Sequence, residues 1–277
     1  MNYDLVSITR QMRSHIIEML ASAGSGHPGG SLSATDIIAT LYFKHMNVDP
    51  GNPLWEDRDR FVLGKGHAAP ALYAALALRG FFPEEELVTL RKLGSRLQGH
   101  PDRTKVPGVD MSTGSLGQGL SVANGMALAG RMDNKGYYVY CLMGDGEIQE
   151  GQVWEAAMSA SHYMLDHVIA FVDHNGLQID GANEQVMNVM PIGKKFAAFG
   201  WNVMHVDGHD LAAIDAAITQ AKKSVAKPTV IVCETVKGRG VSFMENVVDW
   251  HGVAPNAEQA QQALAELSAA RRMGGYE

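Results

Sequence analysis

The sequence predicts an α/β fold, a doubly wound, mostly parallel sheet flanked by helices. Three observations lead there. Short apolar runs recur at 60–63, 137–143, 168–172, 202–206 and 229–233, each short enough for a buried strand. Segments with helical spacing of apolar residues lie between them. The loops after several of these runs are glycine-flanked and carry acidic, amide or imidazole side chains, and open parallel sheets bind ligands beyond the carboxyl ends of their strands.

The elements follow in order. Residues 4–22 read as a helix with Leu5, Ile8, Met12, Ile16, Met19 and Leu20 on one face. Ser33, with Asp36 three positions on, reads as the start of a helix over 34–46. The run RFVL at 60–63 is a strand that ends at Gly64-Lys65-Gly66-His67. Helices fit 68–79 and 84–93, residues 96–115 are loop-rich, and the glycine-punctuated stretch 116–132 reads as a closely packed helix. A helix begins after Gly151, further helices fit 192–199 and 210–223, and residues 257–273 read as a surface helix. Strand–helix alternation implies right-handed crossovers. With no internal repeat or low-complexity linker, residues 1–277 are expected to form a single domain.

Composition narrows the function classes. A chain of 277 residues with 46% hydrophobic content can bury a large core. A net charge of −7 without a dense Lys/Arg cluster argues against nucleic-acid binding. Cys141 and Cys233 each sit in an apolar run, which favours buried free thiols over a disulfide. The amphipathic N-terminus does not read as a signal peptide, and no apolar run approaches the length of a membrane span. A cytoplasmic protein that does not enter a membrane is expected.

The most informative stretch runs from Gly144 to Asn175. It opens with Gly144-Asp145-Gly146 after one apolar run and closes with His174-Asn175 after the next. Asp145 and Asn175 are thirty positions apart, about one βαβ unit. A carboxylate, an amide oxygen and a carbonyl just beyond, at Leu177, suit Mg²⁺, which keeps few protein ligands and completes its shell with phosphates and water. Gly144 and Gly146 let the backbone approach a diphosphate closely, and the N-terminus of the helix after Gly151 favours an anion. Either half alone also reads as an ordinary turn. Three further loops place His27, His100 and His251 beside glycine or proline, as His67 is placed. None of these shows short zinc-ligand spacing, and His15, His45, His162, His167, His205 and His209 are read as structural or solvent-exposed.

The motifs SGHPGG at 25–30, GKGHAAPALYA at 65–75, GHP at 99–101, TGSLGQGLSVANGMALA at 113–129, GDGEIQEGQVWEA at 144–156 and WHG at 250–252 together resemble transketolase, a thiamine diphosphate enzyme. They cover nearly the whole chain in the same order. The resemblance is to the N-terminal, diphosphate-binding (PP) section alone. It implies that the pyrimidine-binding (Pyr) and C-terminal domains lie on a separate chain, as in a split transketolase.

The resemblance implies thiamine diphosphate and a divalent cation, Mg²⁺ or Ca²⁺ or Mn²⁺, as cofactors. By it, Asp145, Asn175 and the Leu177 carbonyl hold the metal, while Gly144, Gly146 and Asn175 meet the diphosphate. His67 and His251 approach the diphosphate and the reacting centre, His27 and His100 meet substrate hydroxyls, and Leu116 contacts the aminopyrimidine. Glu150 and Glu155 resemble the acidic pair that joins two cofactor sites across a subunit interface. Glu147 departs from the family pattern, and either adds a carboxylate near the metal position or faces solvent. The implied reaction moves a two-carbon ketol unit from a ketose phosphate to an aldose phosphate, as in pentose phosphate and other carbohydrate metabolism. The chain would be inactive alone and active in an α2β2 assembly with a C-terminal partner. Three alternatives stay open: a split transketolase for an unusual sugar, branched pentose or sulfosugar; the α chain of a 2-oxo acid dehydrogenase; and a non-catalytic diphosphate-binding protein.

Overall fold

The computed structural model describes residues 3–269. Its centre is a five-stranded, wholly parallel sheet made of β1 (Arg60–Leu63), β2 (Val139–Gly144), β3 (Val168–His174), β6 (Asn202–Asp207) and β7 (Thr229–Glu234). Their order across the sheet is β1-β2-β3-β7-β6. A two-stranded hairpin, β4 (Leu177–Gln178) with β5 (Gly181–Ala182), follows β3 directly. The fold class is the expected one.

Alternate side chains of each strand enter two separate cores, because successive Cβ atoms leave opposite faces of a sheet. Phe61, Leu63, Tyr140, Leu142, Ile169, Phe171, Ile231 and Cys233 face one core. It is closed by α1 (Leu5–Ala23), α2 (Pro28–Thr40), α3 (Ala69–Arg79), α8 (Leu211–Ala221) and α9 (Ala257–Ala269). Val62, Val139, Cys141, Met143, Val168, Ala170, Val172, Val230 and Val232 face the other, against α4 (Gly119–Met132), α5 (Gly151–His162) and α7 (Ile192–Ala198). Cys141 and Cys233 therefore lie in different cores as buried free thiols. Connections through α5 and α7 run along one face, and the return from β6 to β7 runs through α8 on the other. Changing face as the chain reverses direction across the sheet gives these crossovers one common hand, as the right-handed rule requires.

Three boundaries differ from the expected ones. The second helix starts at Pro28 rather than near Ser33, with proline in its first turn, where a missing N–H costs nothing. Ser33 is no cap, since its hydroxyl donates to Asp173 of β3 at 2.6 Å. Every residue of α2 is buried, and it continues into a π-helical turn at Leu41–His45. The helix expected over 84–93 is a 3₁₀ segment, Glu84–Thr89, and Arg91 after it is left-handed at φ 60°. The C-terminal helix is not merely superficial, because Ala260, Ala263 and Leu267 are buried and α9 packs on α1. The end of the stretch expected there, 270–273, lies outside the described residues. Among the described residues no helix is long and apolar enough to cross a membrane.

Phe171 is fully buried in a central strand, whereas Val225 is 81% exposed. Phe171→Ala should lower unfolding free energy by about 3–5 kcal/mol in urea titration. Val225→Ala should change it by less than about 0.5 kcal/mol.

Candidate active site

The carboxyl ends of β1, β2, β3 and β7 deliver their following residues to one crevice, and a buried ion pair lies beneath it. The Lys65 ammonium meets the Asp173 carboxylate, and both side chains are almost wholly excluded from solvent. Lys65 Nζ also donates to the Gly30 carbonyl at 2.8 Å, while Ser33 and Thr235 hydroxyls donate to the two Asp173 oxygens. Burial alone would raise the Asp173 pKa, but Lys65 and these hydrogen bonds hold it below the ordinary carboxylate value. Four segments are joined in this way: the start of α2, the exit of β1, the end of β3 and the exit of β7.

The oxygen end of the site stands on this base. Asp145 is 2% exposed, and its two oxygens accept the N–H of Gly146 at 2.8 Å and of Gly176 at 2.6 Å. Asn175 Oδ1 accepts the N–H of Leu177 at 3.2 Å. Asp145, in the turn after β2, is thereby tied to the Asn175-Gly176 turn between β3 and the hairpin. Lys237, buried just after β7, donates to the Leu177 carbonyl at 3.1 Å and reaches His251 Nδ1 at 2.9 Å. Burial and then the nearby Lys65 charge lower its pKa to about 8. The crevice is tight here, since a Cβ on Gly29 would stand 2.9 Å from both Lys237 Cγ and the Trp250 carbonyl.

The imidazole end is a three-ring cluster. The rings of His27 and His67 are 5.1 Å apart, His67 and His251 5.3 Å, and His27 and His251 5.7 Å. His27 precedes α2, His67 follows β1 in a 3₁₀ turn, and His251 ends a 3₁₀ segment at Val248–His251. Burial, then the Arg91 charge, lowers the His27 pKa to about 4, and burial, then Lys237, lowers that of His251 to about 3. Burial and Lys65 push His67 well down too. All three rings are neutral near pH 7. His100 is exposed beside them, its ring against Gly114.

The remaining expected residues lie around this crevice. Half-buried Leu116 sits in the loop between Gly114 and Gly117, which have φ of 149° and 83°. Glu150 occupies the N-cap position of α5 without a side-chain capping bond and Glu155 lies in its second turn, both exposed, with Glu150 against Gly117. Of the two readings open for Glu147, the solvent-facing one is excluded. Glu147 is 3% exposed, and its carboxylate accepts the N–H groups of Gly117 and Gly144, each at 3.1 Å. Burial outweighs those bonds and pushes its pKa up to about 7. Glu147 thus ties the Leu116 loop to the Gly144-Asp145-Gly146 turn.

Residues 5–271 match a family described as "Transketolase, thiamine diphosphate binding domain". The chain belongs to this transketolase family. It is 48% identical over 264 residues to the 6-deoxy-6-sulfo-D-fructose transketolase subunit SqwG of Clostridium sp. (strain MSTE9), covering 95% of this chain and 96% of that one. It is 43% identical over 256 residues to an apulose-4-phosphate transketolase subunit of Phocaeicola vulgatus, covering 92% and 91%. Human transketolase is 45% identical over 269 residues, which is 95% of this chain but 42% of the human one. Among solved structures, Leishmania mexicana transketolase superposes with a TM-score of 0.91 at 30% identity over 97% of this chain and 42% of that one. A Pichia stipitis transketolase gives 0.90 at 34% identity over 96% and 41%. This transketolase domain therefore spans about two-fifths of those longer enzymes.

The residues present fit the cofactor and cation associated with the family. Burial and the neighbouring Asp173 charge raise the Asp145 pKa, a penalty that a bound cation would relieve. The Leu177 carbonyl accepts from Lys237 through one lone pair, which leaves the other for a cation. The donors are oxygens of a carboxylate, an amide and a carbonyl, the set that hard cations take. His27 Nδ1 and Thr113 Oγ1 are buried without a hydrogen-bond partner, as expected of atoms that meet a ligand.

Motif reading overlooked Lys65, Asp173, Thr235, Lys237 and the bonding role of Glu147. Lys65 and Asp173 were visible within GKGH and VDHN as charges beside a strand end. Lys237 had only a weak signal, a lysine after the last strand flanked by Gly238.

Depressed pKa values at His27 and His251 have a consequence for stability. The unfolded imidazoles take up protons as pH falls through about 6.5, while the folded ones do not until about 4 or below. Their stabilisation is thus complete above about pH 6.5 and is lost as pH falls towards about 4. Urea midpoints should decline over that window, and decline less in His251→Asn. An identical slope in the variant would contradict the buried, neutral state of His251.

Proposed function

We propose that this chain is the diphosphate-binding subunit of a thiamine diphosphate- and Mg²⁺-dependent transketolase that moves a two-carbon ketol unit between sugars. The observation that carries this reading is one crevice with two chemically different ends. Asp145, Asn175 and the Leu177 carbonyl form an oxygen end, and His27, His67 and His251 form a neutral imidazole end, with Lys237 between them. Asp145, Asn175 and Leu177 would hold the cation, while Gly144 and Gly146 leave room for phosphate oxygens. When bound, thiamine diphosphate supplies a carbanion that cleaves and forms the carbon–carbon bond beside a carbonyl.

The chain's own residues have defined tasks around that chemistry. Lys237, held between the Leu177 carbonyl and His251, would set a positive charge beside the diphosphate. His27, His67, His100 and His251 orient hydroxyls and exchange protons with them, which a neutral imidazole does because it both donates and accepts. Leu116 offers an apolar face to the aminopyrimidine. Glu150 and Glu155, exposed at the start of α5, would meet the second copy of this chain. The relatives named as transketolase subunits support a separate partner chain, which we assign the Pyr domain in an α2β2 assembly. We assign the chain to the cytoplasm, in keeping with its resemblance to transketolase.

Two measurements test the proposal. Co-purified with its partner, the chain should transfer a ketol unit from at least one of xylulose 5-phosphate, apulose 4-phosphate and 6-deoxy-6-sulfofructose, and alone from none. Full transfer by the single chain, or none by the pair with any donor, would defeat the two-chain reading. In calorimetry of the complex, Asp145→Ala should weaken metal-dependent thiamine diphosphate binding by about 100-fold or more while circular dichroism stays unchanged. Wild-type affinity in that variant would remove Asp145 from the metal.

A further inference from the structure

We infer that Arg91 is a positioning residue of the substrate channel: its guanidinium sits where two histidine loops meet and holds His27 and His100 towards a shared ligand. The inference rests on the reading of those two histidines as substrate-facing. The 3₁₀ segment ends at Thr89, and Arg91 takes a left-handed backbone that residues with a Cβ rarely adopt. Its N–H donates to the Leu97 carbonyl at 2.8 Å and closes the loop that leads to Gly99 and His100. The side chain then meets both loops at once. Nη1 lies 3.5 Å from Ser25 Oγ in the His27 loop. A Cβ on Gly99 would stand 2.9 Å from Arg91 Cζ, and one on Gly26 3.8 Å from Nε. Glycine at 99 therefore leaves space for the planar cation beside the His100 loop, while on the His27 side Ser25 meets it and the tight neighbour of Gly26 is Leu20.

The electrostatics agree with the geometry. After burial, the Arg91 charge is the next cause that disfavours protonation of His27, and the same holds for His100. His27 also faces His100, Lys237 and the rings of His67 and His251. On the His100 side, the Tyr73 hydroxyl donates to the Gln98 and His100 carbonyls, with Asp102 nearby. The field at His67 and His251 comes instead from Lys65, Lys237 and the other imidazoles. Arg91 thus acts on the two outer histidines and not on the inner pair. A guanidinium with no positioning role would exert this field too, so the planar fork itself is what the donor KM reads.

The test separates charge from shape. In the labelled chain, imidazole NMR titrations of Arg91→Gln should raise the midpoints of His27 and His100 by about one unit, with His67 and His251 moving much less. Unmoved His27 and His100, or an equal shift in all four, overturns the inference. Arg91→Lys keeps the charge but loses the planar fork. It should leave the midpoints in place, yet raise the donor KM of the complex with its partner about tenfold with little change in kcat. An unchanged KM also overturns it. If Arg91→Gln does not fold, Arg91→Lys decides the question. If the wild-type complex transfers no ketol unit, the functional reading fails while the NMR titrations still judge Arg91.

Discussion

The buried pair between Lys65 and Asp173 is the constraint on which the crevice depends. Removing two charges from water costs several kcal/mol per ion, and their attraction offsets this only when the remaining donors and acceptors are satisfied. Here they are: Gly30 accepts from Lys65, and Ser33 and Thr235 donate to Asp173. The satisfied pair fixes α2 against the ends of β1, β3 and β7. Through Gly30 and Thr235 it sets where His27 and Lys237 can stand.

Charge is distributed unevenly above that base. Asp145 carries a carboxyl raised by burial and by Asp173, which favours a cation beside it. A few residues away the field is positive: Lys65 and Lys237, with burial, keep His67 and His251 neutral. Lys237 joins the two regions by touching both the Leu177 carbonyl and His251. One end is thus prepared for metal and phosphate and the other for hydroxyl groups, within a single pocket of low dielectric.

Much of this was legible in the sequence because it rests on local spacing. The thirty residues from Asp145 to Asn175 span one βαβ unit, so both must emerge at neighbouring strand ends, and β2 pairs with β3 in that register. The glycine-flanked histidine loops were legible as motifs, although only His67 follows a strand and tertiary packing brings the others to it. What misled was local chemistry serving a distant partner. Ser33 looked like a helix cap, but its hydroxyl belongs to Asp173, 140 residues away. Glu147 could be read as a surface carboxylate, but two main-chain N–H groups, one from a loop 30 residues away, hold it inside. Helical spacing over 84–93 gave no warning that Arg91 leaves the helix to reach the histidine loops.

The sequence by itself determined the parallel α/β architecture, the GDG-to-Asn metal candidates and the four loop histidines, because period, glycine and motif spacing act within about thirty residues. Only the tertiary structure decided which charges are paired away from water. Lys65 with Asp173, Lys237 with Leu177 and His251, and Arg91 between two loops are contacts across 14 to 108 residues. Such contacts depend on how strands are ordered and helices laid across them. A lysine in a loop reads the same whether it ends in water or beneath an active site, and only burial tells the two apart.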